Sequence, residues 1–383
     1  MFRTRRYGPI GLDLGTEGIR MLQLGRAGGR YAVAAAGRWH YPAGAEDPAR
    51  RRELAVGAVG DMLRAGGFHG RDVVSCISAA QLSINNVRLP QMPEEELASA
   101  VAWECQERFG FQVTPDRVHY INAGEVRHGS ETRDEIILLA VTEQTVREHL
   151  ELLEEMALRP LHIDAEPTAL FRAYRRFLRR AQDESAVTVI VDVGLSTTKV
   201  VVARGTTIVL IKAIDVAGRR FNEVVAKELG LSYEEARHLR QRVAQACPPG
   251  AEGAKSYPEN QTQWSVFDAV RGEMEALARE VGLCLRYCSV TFRGLRADQV
   301  TLTGGEACDP ALLKVLGEAL DCQCVVGEPL RGIDLGKAEL GADRRGVLTE
   351  WSVAAGLALR ELMTEKRTTT ERVGHEERRR VPA

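Results

Sequence analysis

One pattern occurs twice and restricts the architecture more than any other feature of the chain. Residues 10–20 read Ile-Gly-Leu-Asp-Leu-Gly-Thr-Glu-Gly-Ile-Arg, and residues 189–199 read Val-Ile-Val-Asp-Val-Gly-Leu-Ser-Thr-Thr-Lys. In both, an Asp (Asp13, Asp192) ends an apolar run, a Gly follows two residues later (Gly15, Gly194), and a base stands seven residues after the Asp (Arg20, Lys199). A second apolar run resumes directly, at 19–24 and at 200–203. That is the signature of a β-hairpin with a glycine-bearing turn. Third strands are predicted over 31–41, after Gly28-Gly29, and over 207–213, after Arg204-Gly205. The chain is predicted to hold two similar β-meanders, each opening one half.

Between the meanders, 53–64 reads as an amphipathic helix and 73–77 and 83–89 as strands. Pro93-Glu94-Glu95-Glu96 places proline and acids where a helix N-terminus favours them, and that helix is predicted to run to residue 108. Strands at 119–125 and 135–141 pair across His128-Gly129-Ser130, and a helix over 143–156 has Thr142 as its cap. Residues 82–163 are thus predicted to form a small two-layer insert. In the second half, 220–228, 233–242 and 266–292 are predicted helices, with a Pro/Gly/Ser-rich loop at 247–258. A strand at 300–303 enters Gly304-Gly305, and helices follow at 310–320 and 352–364. The tail 367–383 is polar, lacks an apolar stripe and is expected to be disordered.

At 383 residues the chain is long enough for two or three compact units. The 51 basic and 53 acidic side chains are mixed along the sequence, leaving a net charge of −2 and no broad field that would select nucleic acid. The arginines at 3, 5 and 6, at 175, 176, 179 and 180, and at 378–380 read as solvated faces or tails. Eight cysteines in a chain of this size read as thiols, and the pairs Cys284/Cys288 and Cys322/Cys324 lack the histidines of a zinc site. The longest apolar runs, 136–141 and 187–193, fall well short of the roughly 20 residues that span a bilayer, so direct membrane insertion is not expected.

A glycine beside a strand end lets backbone N–H groups approach an anion, and neighbouring hydroxyls add donors. Gly15 with Thr16, and Gly194 with Ser196 and Thr197, suit that role. A carboxylate at each strand end, Asp13 and Asp192, suits a hydrated Mg²⁺, which takes only one or two protein carboxylates. Arg20 and Lys199 either supply compensating charge or simply face solvent. A duplication that has kept its shape without its ligand is the alternative.

The two loops resemble the phosphate-1 and phosphate-2 motifs of the actin, Hsp70 and sugar kinase superfamily. Asp164-Ala165-Glu166-Pro167-Thr168-Ala169-Leu170 is similar to its first connecting helix, Thr301-Leu302-Thr303-Gly304-Gly305 to its adenosine motif, and 351–360 to its second connecting helix. Within the superfamily the chain resembles the PilM family of type IV pilus assembly proteins, on the FtsA-like branch, over about residues 8 to 365. Leu89-Pro90 with its acidic helix, the strand at 137–141 and Leu158-Arg159-Pro160-Leu161-His162-Ile163-Asp164 carry the likeness to that branch's inserted subdomain 1C. Gly230-Leu231-Ser232-Tyr233-Glu234-Glu235-Ala236 carries the likeness in the second half.

The resemblance implies an α/β actin-like ATPase fold of two duplicated ribonuclease-H-like halves. Subdomain 1A would span 1–81, completed by 164–185 and 350–366, with 1C at 82–163, 2A at 186–217 and 298–349, and 2B at 218–297. ATP and Mg²⁺ are the implied ligands. Gly15, Thr16, Arg20, Gly194, Ser196, Thr197, Lys199 and Gly218 would face phosphates, with Gly304 and Gly305 against the adenosine, Asp13 and Asp192 at the metal, and Glu166 orienting an attacking water. The partner implied is a PilN-like bitopic membrane protein, whose cytoplasmic N-terminal tail would dock near Val87, Leu89, Leu97 and Val101. The protein would then be cytoplasmic, peripheral to the inner membrane through partners, at most a slow ATPase, and capable of self-association. Three positions depart from the family pattern: Arg20 replaces a Lys, Glu17 adds negative charge to a phosphate loop, and Arg237 replaces an acid, while Arg240 keeps the basic character of its position. A small-molecule kinase and an FtsA-like filament protein are the alternatives. The first lacks a recognisable loop for a general base, and the second usually has an amphipathic C-terminal helix that 367–383 does not provide.

Overall fold

The computed structural model describes residues 7–363 except 28, 46, 112–118, 130, 179, 249–256, 321, 337, 339 and 341–346. The tail at 367–383 and most of the 247–258 loop lie outside the described residues. Along the chain, β1 (Tyr7–Leu14), β2 (Gly18–Ala27) and β3 (Arg30–His40) precede α1 (Pro48–Ala65) and β4 (Asp72–Ile77). Then come β5 (Ser83–Pro90), α2 (Glu94–Phe109), β6 (Tyr120–His128), β7 (Glu131–Ala140), α3 (Glu143–Glu155), β8 (Arg159–Ala165) and α4 (Glu166–Arg175). The second half runs β9 (Val187–Val193), β10 (Thr198–Arg204), β11 (Thr207–Ile214), α5 (Gly218–Leu229), α6 (Tyr233–Ala246) and α7 (Gln261–Thr291). It continues through β12 (Gln299–Thr303), α8 (Pro310–Ala319) and β13 (Gln323–Val326) to α9 (Ser352–Ala358).

The chain divides into two compact units, one drawn from 1–78, 146–174 and 329–383 and the other from 79–145 and 175–328. In the first unit, a sheet of order β3-β2-β1-β4-β8 carries the N-terminal meander antiparallel and β4 and β8 parallel. Asp47 caps α1 by accepting the Arg50 N–H, and Pro48 occupies the first helical turn, where its missing donor goes unneeded. The apolar face of α1 (Ala55, Ala58, Val59, Met62) packs on Ile10, Leu12, Ile19 and Met21. Gly356 in α9 lies so close to α4 that a Cβ there would fall 1.7 Å from the Ala169 carbonyl. Only glycine permits that helix approach.

The second unit contains a sheet of order β11-β10-β9-β12-β13, with the same alternation of antiparallel meander and parallel strands. The predicted duplication is therefore present in strand order as well as in sequence. A smaller antiparallel sheet, β5-β7-β6, lies in this unit under α2. Ser232 and Glu235 form a reciprocal capping box at the start of α6, and Asn260 caps α7 five residues ahead of its predicted start.

The predicted boundary of the insert needs correction. The three-stranded sheet ends at Ala140, and from Val146 the chain belongs to the first unit. Leu153, Met156 and Leu158 join the core around Ile10 and Leu12, and β8 pairs with β4 rather than with the insert. An amphipathic helix followed by a short strand reads alike in sequence whichever sheet receives it. Here Leu153 of α3 shares one core with α1 on the sheet of the first unit.

Candidate functional site

Each duplicated hairpin converts its sequence offset into a side-chain pairing. A seven-residue spacing around a tight turn makes the acid and the base cross-strand partners, Asp13 with Arg20 and Asp192 with Lys199. On one face of an antiparallel pair such partners lie within reach of each other.

In the second unit, Lys199 Nζ lies 2.7 Å from Asp192 Oδ2, and both side chains are buried. The Gly194 N–H donates to the Thr197 carbonyl at 3.2 Å and closes the loop. The start of α5 is fastened to this loop, because the Gly218 N–H donates to Gly194 O at 3.0 Å and the Arg219 N–H to Leu195 O at 2.6 Å. The Arg219 guanidinium also reaches Ser196 Oγ at 3.3 Å. β12 brings Thr303 level with Asp192, and the next residue turns sharply. Gly304 has φ +92°, and a Cβ on it would lie 2.5 Å from both Asp192 Oδ1 and the Val193 carbonyl. A Cβ on Gly218 would come within 2.3 Å of the Glu306 carboxylate. Gly194, Ser196, Thr197, Lys199, Gly218 and Gly304 thus gather around Asp192, with Gly305 exposed on the same turn. What they form is a patch of bare backbone beside a buried carboxylate, the type of surface that accepts phosphate oxygens.

Arg240 does not belong to that open surface. It is buried and is held by Glu306 Oε2 at 2.6 Å, by Asn222 Oδ1 at 2.7 Å and by Asp309. Burial works against its charge, but Glu306 and Asp309 outweigh burial and raise its pKa. Arg240 is a tie between α6, α5 and the turn after β12. Arg237, by contrast, lies 3.5 Å from Glu234 on its own helix.

The first unit's loop is built differently. Arg20 and Asp13 are buried, and both border the Gly15 Cα, at 3.7 Å and 3.9 Å from where a Cβ would stand. The Arg20 Nε finds no hydrogen-bond partner among the described residues. Thr16 is exposed, its carbonyl accepts from the Arg51 guanidinium at 2.8 Å, and Arg51 in turn lies 3.6 Å over the Tyr41 ring. Burial, and then the neighbouring Arg20 charge, lower the pKa of His40, while Glu17 works the other way.

Glu166 heads α4, and two residues earlier Asp164 holds a network of its own. Asp164 accepts from Thr168 Oγ1 at 2.6 Å and from Arg360 at 2.7 Å, and it pairs with Arg172 at 2.8 Å. Burial would raise its pKa, yet Arg172, Thr168 and Arg360 together hold it below the usual carboxylate range. The residues predicted to line a partner groove also need correction: Val87, Leu89, Leu97 and Val101 are buried in the core of the small sheet and α2. They alternate or recur at helical spacing because they hold the insert together. Arg51, Arg219 and Glu306 escaped the sequence reading, since each reaches its loop from a different element and no local motif marks it. Among the described residues, no group of three or more His, Cys, Asp or Glu is placed to hold a metal ion.

Two sheets of one strand order, each with an acid-and-glycine loop at the end of its first strand, define an actin-like ATPase fold. The structure is similar to EutJ from Carboxydothermus hydrogenoformans (13% identity, 92% of this chain and 89% of that chain, TM-score 0.52). It is also similar to MreB5 of Spiroplasma citri bound to AMPPNP (12% identity, 96% and 99%, TM-score 0.52). Residues 11–362 match the type IV pilus assembly protein PilM family, and the chain belongs to that family. A PilM–PilN type IV pilus biogenesis complex is similar over 92% of this chain and 98% of that chain, at 21% identity and a TM-score of 0.71.

Proposed function

We propose that this protein is a nucleotide-binding adaptor of a type IV pilus assembly platform, which docks the cytoplasmic tail of a PilN-like bitopic membrane protein. The observation that carries the nucleotide half of this reading is the loop of Gly194, Ser196 and Thr197 beside the buried Asp192, closed on by the first turn of α5 and the Gly304 turn. Gly304, at φ +92°, stands where a Cβ would meet both Asp192 Oδ1 and the Val193 carbonyl, so the turn after β12 lies directly against the carboxylate. Such a cradle fits a phosphate group. When bound, ATP with Mg²⁺ would supply a polyanion whose charge is neutralised by metal and bases. Gly194, Ser196 and Thr197 would donate to its oxygens, Asp192 would accept from metal-bound water, and Lys199 holds Asp192 in place. Thr16 and Arg20 offer the same donor types in the first unit, and Glu166 is the candidate for orienting a water. The partner half rests on the family and on the likeness to the PilM–PilN complex. Among the described residues no helix is long and apolar enough to cross a membrane, so a bitopic partner would supply the membrane attachment.

Calorimetric titration with ATP and Mg²⁺, alongside Asp192→Ala and a phosphate-release assay, tests the reading. Saturable binding that the variant loses, with slow or no release, is expected. A wild type that does not bind nucleotide would leave a scaffold that works without it. Titration with a synthetic PilN-type cytoplasmic tail peptide tests the partner half separately.

A further inference from the structure

The two ends of α7 differ in charge and in what their charges touch. Over 261–278 the helix carries three acids (Asp268, Glu273, Glu275) and one base (Arg271). Three of those four are engaged: Arg271 holds Glu275 at 2.8 Å, and Arg220 of α5 holds Glu273 at 2.7 Å. Over 279–296 the balance reverses, with four bases (Arg279, Arg286, Arg293, Arg296) and one acid (Glu280). All four bases are exposed, and none makes an ion pair with a described residue. Arg279, Leu283, Arg286 and Val290 follow one another at steps of four, three and four residues, which places them along one side of the helix. Arg293 extends the row past the helix end, and Glu280 lies about a quarter-turn off it. Leu283 is 53% exposed and Val290 75% exposed.

A single exposed apolar residue is ordinary, but here two alternate with bases along one line. The helix dipole favours bases only in the last turn, and Arg279 and Arg286 lie before it. Arg293 has φ +40°, a left-handed conformation that glycine adopts at lower cost, so a base is kept where the backbone favours none. A basic row complements either an acidic protein or an anionic lipid surface, and its side chains favour lipid. Protein interfaces are anchored by aromatic residues seated in pockets, and this row has only aliphatics that project outward. At a bilayer surface such aliphatics need only dip below the headgroups, while arginine stems lie along the apolar boundary and keep their charge at the level of the lipid phosphates. From Arg279 to Val290 the row runs about 16 Å along one side of the helix, so it meets a flat surface along its whole length.

We propose that the Arg279–Arg293 face of α7 rests on an anionic phospholipid surface, with Leu283 and Val290 between the headgroups and the arginines against lipid phosphates. This is contact in the plane of the interface and involves no spanning segment. Alone it is a weak, reversible hold that salt loosens, and it fixes which side of the second unit faces the bilayer.

Co-sedimentation of the full chain with vesicles tests this, comparing equal parts of phosphatidylglycerol and phosphatidylcholine with phosphatidylcholine alone. Pelleting without vesicles is measured in parallel and subtracted. Binding to the anionic vesicles only, weakening as salt rises, is expected. Arg286→Glu and Val290→Glu each weaken it about tenfold or more, because each sets an acid where the row meets phosphate. Arg286→Lys keeps most of the binding, since a lipid surface requires the charge rather than the planar fork. Trp103→Ala, on the exposed side of α2, changes nothing. All three positions are exposed, and an unchanged thermal midpoint confirms that each variant is folded. Equal binding to both vesicle types, or binding to anionic vesicles that Arg286→Glu and Val290→Glu retain, overturns the proposal. So does a wild type that ignores both vesicles, and poly-glutamate binding that Arg286→Glu then loses would assign the face to an acidic protein. The assay contains no nucleotide and no partner peptide, so its result is separate from both halves of the proposed function.

Discussion

The two loops share spacing, register and residue types, yet their surroundings differ. Around Asp192 the chain closes in from three sides, with the hairpin turn, the first turn of α5 and the turn after β12 linked by backbone hydrogen bonds. Around Asp13 the loop is braced from outside by a side chain, Arg51 from α1, and Thr16 stands in solvent. The two copies of the motif are therefore fastened differently, the second by the turns before α5 and after β12, the first by Arg51 and by the Tyr41 N–H on the Glu17 carbonyl at 3.1 Å. Both loops hold a glycine that admits no side chain: a Cβ would fall 2.2 Å from the Trp39 carbonyl at Gly18 in the first, and 2.5 Å from Asp192 Oδ1 beside the second, at Gly304 with its positive φ.

Gly304→Ala should break that loop most severely. A Cβ at φ +92° would press on Asp192 and Val193, and losing the glycine-only conformation together with the clash is expected to destabilise by about 3 kcal/mol or more. Nucleotide binding should vanish with it. Gly15→Ala meets only the Gly18 carbonyl, at 3.1 Å, and should cost clearly less in the same urea titration. If the two variants behave alike, the contrast between the loops is wrong.

Asp192→Asn leaves Lys199 buried without its counter-charge, a loss of about 3 kcal/mol by the usual scale for a broken buried pair. Chemical denaturation of this variant beside Lys199→Met and the double variant would separate the pair's coupling from simple burial.

Acid should sharpen the contrast from the other side, because the first unit holds a histidine that resists protonation. His149 bonds to the buried Ser75 Oγ at 2.8 Å, and burial lowers its pKa to about 4. The unfolded chain takes up that proton near pH 6.5. The stability contributed by neutral His149 is therefore intact above about pH 6.5 and is lost as pH falls toward about 4, up to about 3 kcal/mol in all. Hydrogen exchange at about pH 7.5 and about pH 4.5 should show the sheet that carries Asp13 loosening first, and His149→Gln should flatten the difference.

Arg51→Ala should give the smallest effect. It removes one hydrogen bond to the Thr16 carbonyl and the stacking on Tyr41, about 1 kcal/mol together. A shift of a few degrees in thermal midpoint, with a modest rise in the ATP dissociation constant, is expected. A complete loss of binding would mean that the first loop depends on Arg51 as strongly as the second depends on Gly304.

Much of the fold was legible because hairpins and amphipathic helices announce themselves locally. The meanders, the cap at Ser232 and the glycines at 194 and 304 all lie in short stretches whose pattern states their conformation. The destination of α3 and β8 was not legible, since an apolar stripe on a helix does not name the sheet it will cover. Val87, Leu89, Leu97 and Val101 read as a groove for the same reason, because apolar spacing does not distinguish a core from a docking surface.

The sequence by itself determined the duplication and, through a seven-residue offset, which acid would face which base. Hydrogen-bond register in a hairpin follows from the count of residues around its turn. Only the tertiary structure decided that Arg240 would bind Glu306 and Asp309 rather than stay available, that Arg219 would reach Ser196, and that Gly304 would lie directly against Asp192 and Gly218 against Glu306. Those outcomes depend on which distant segments meet, and burial and charge set their consequences only after the chain has closed.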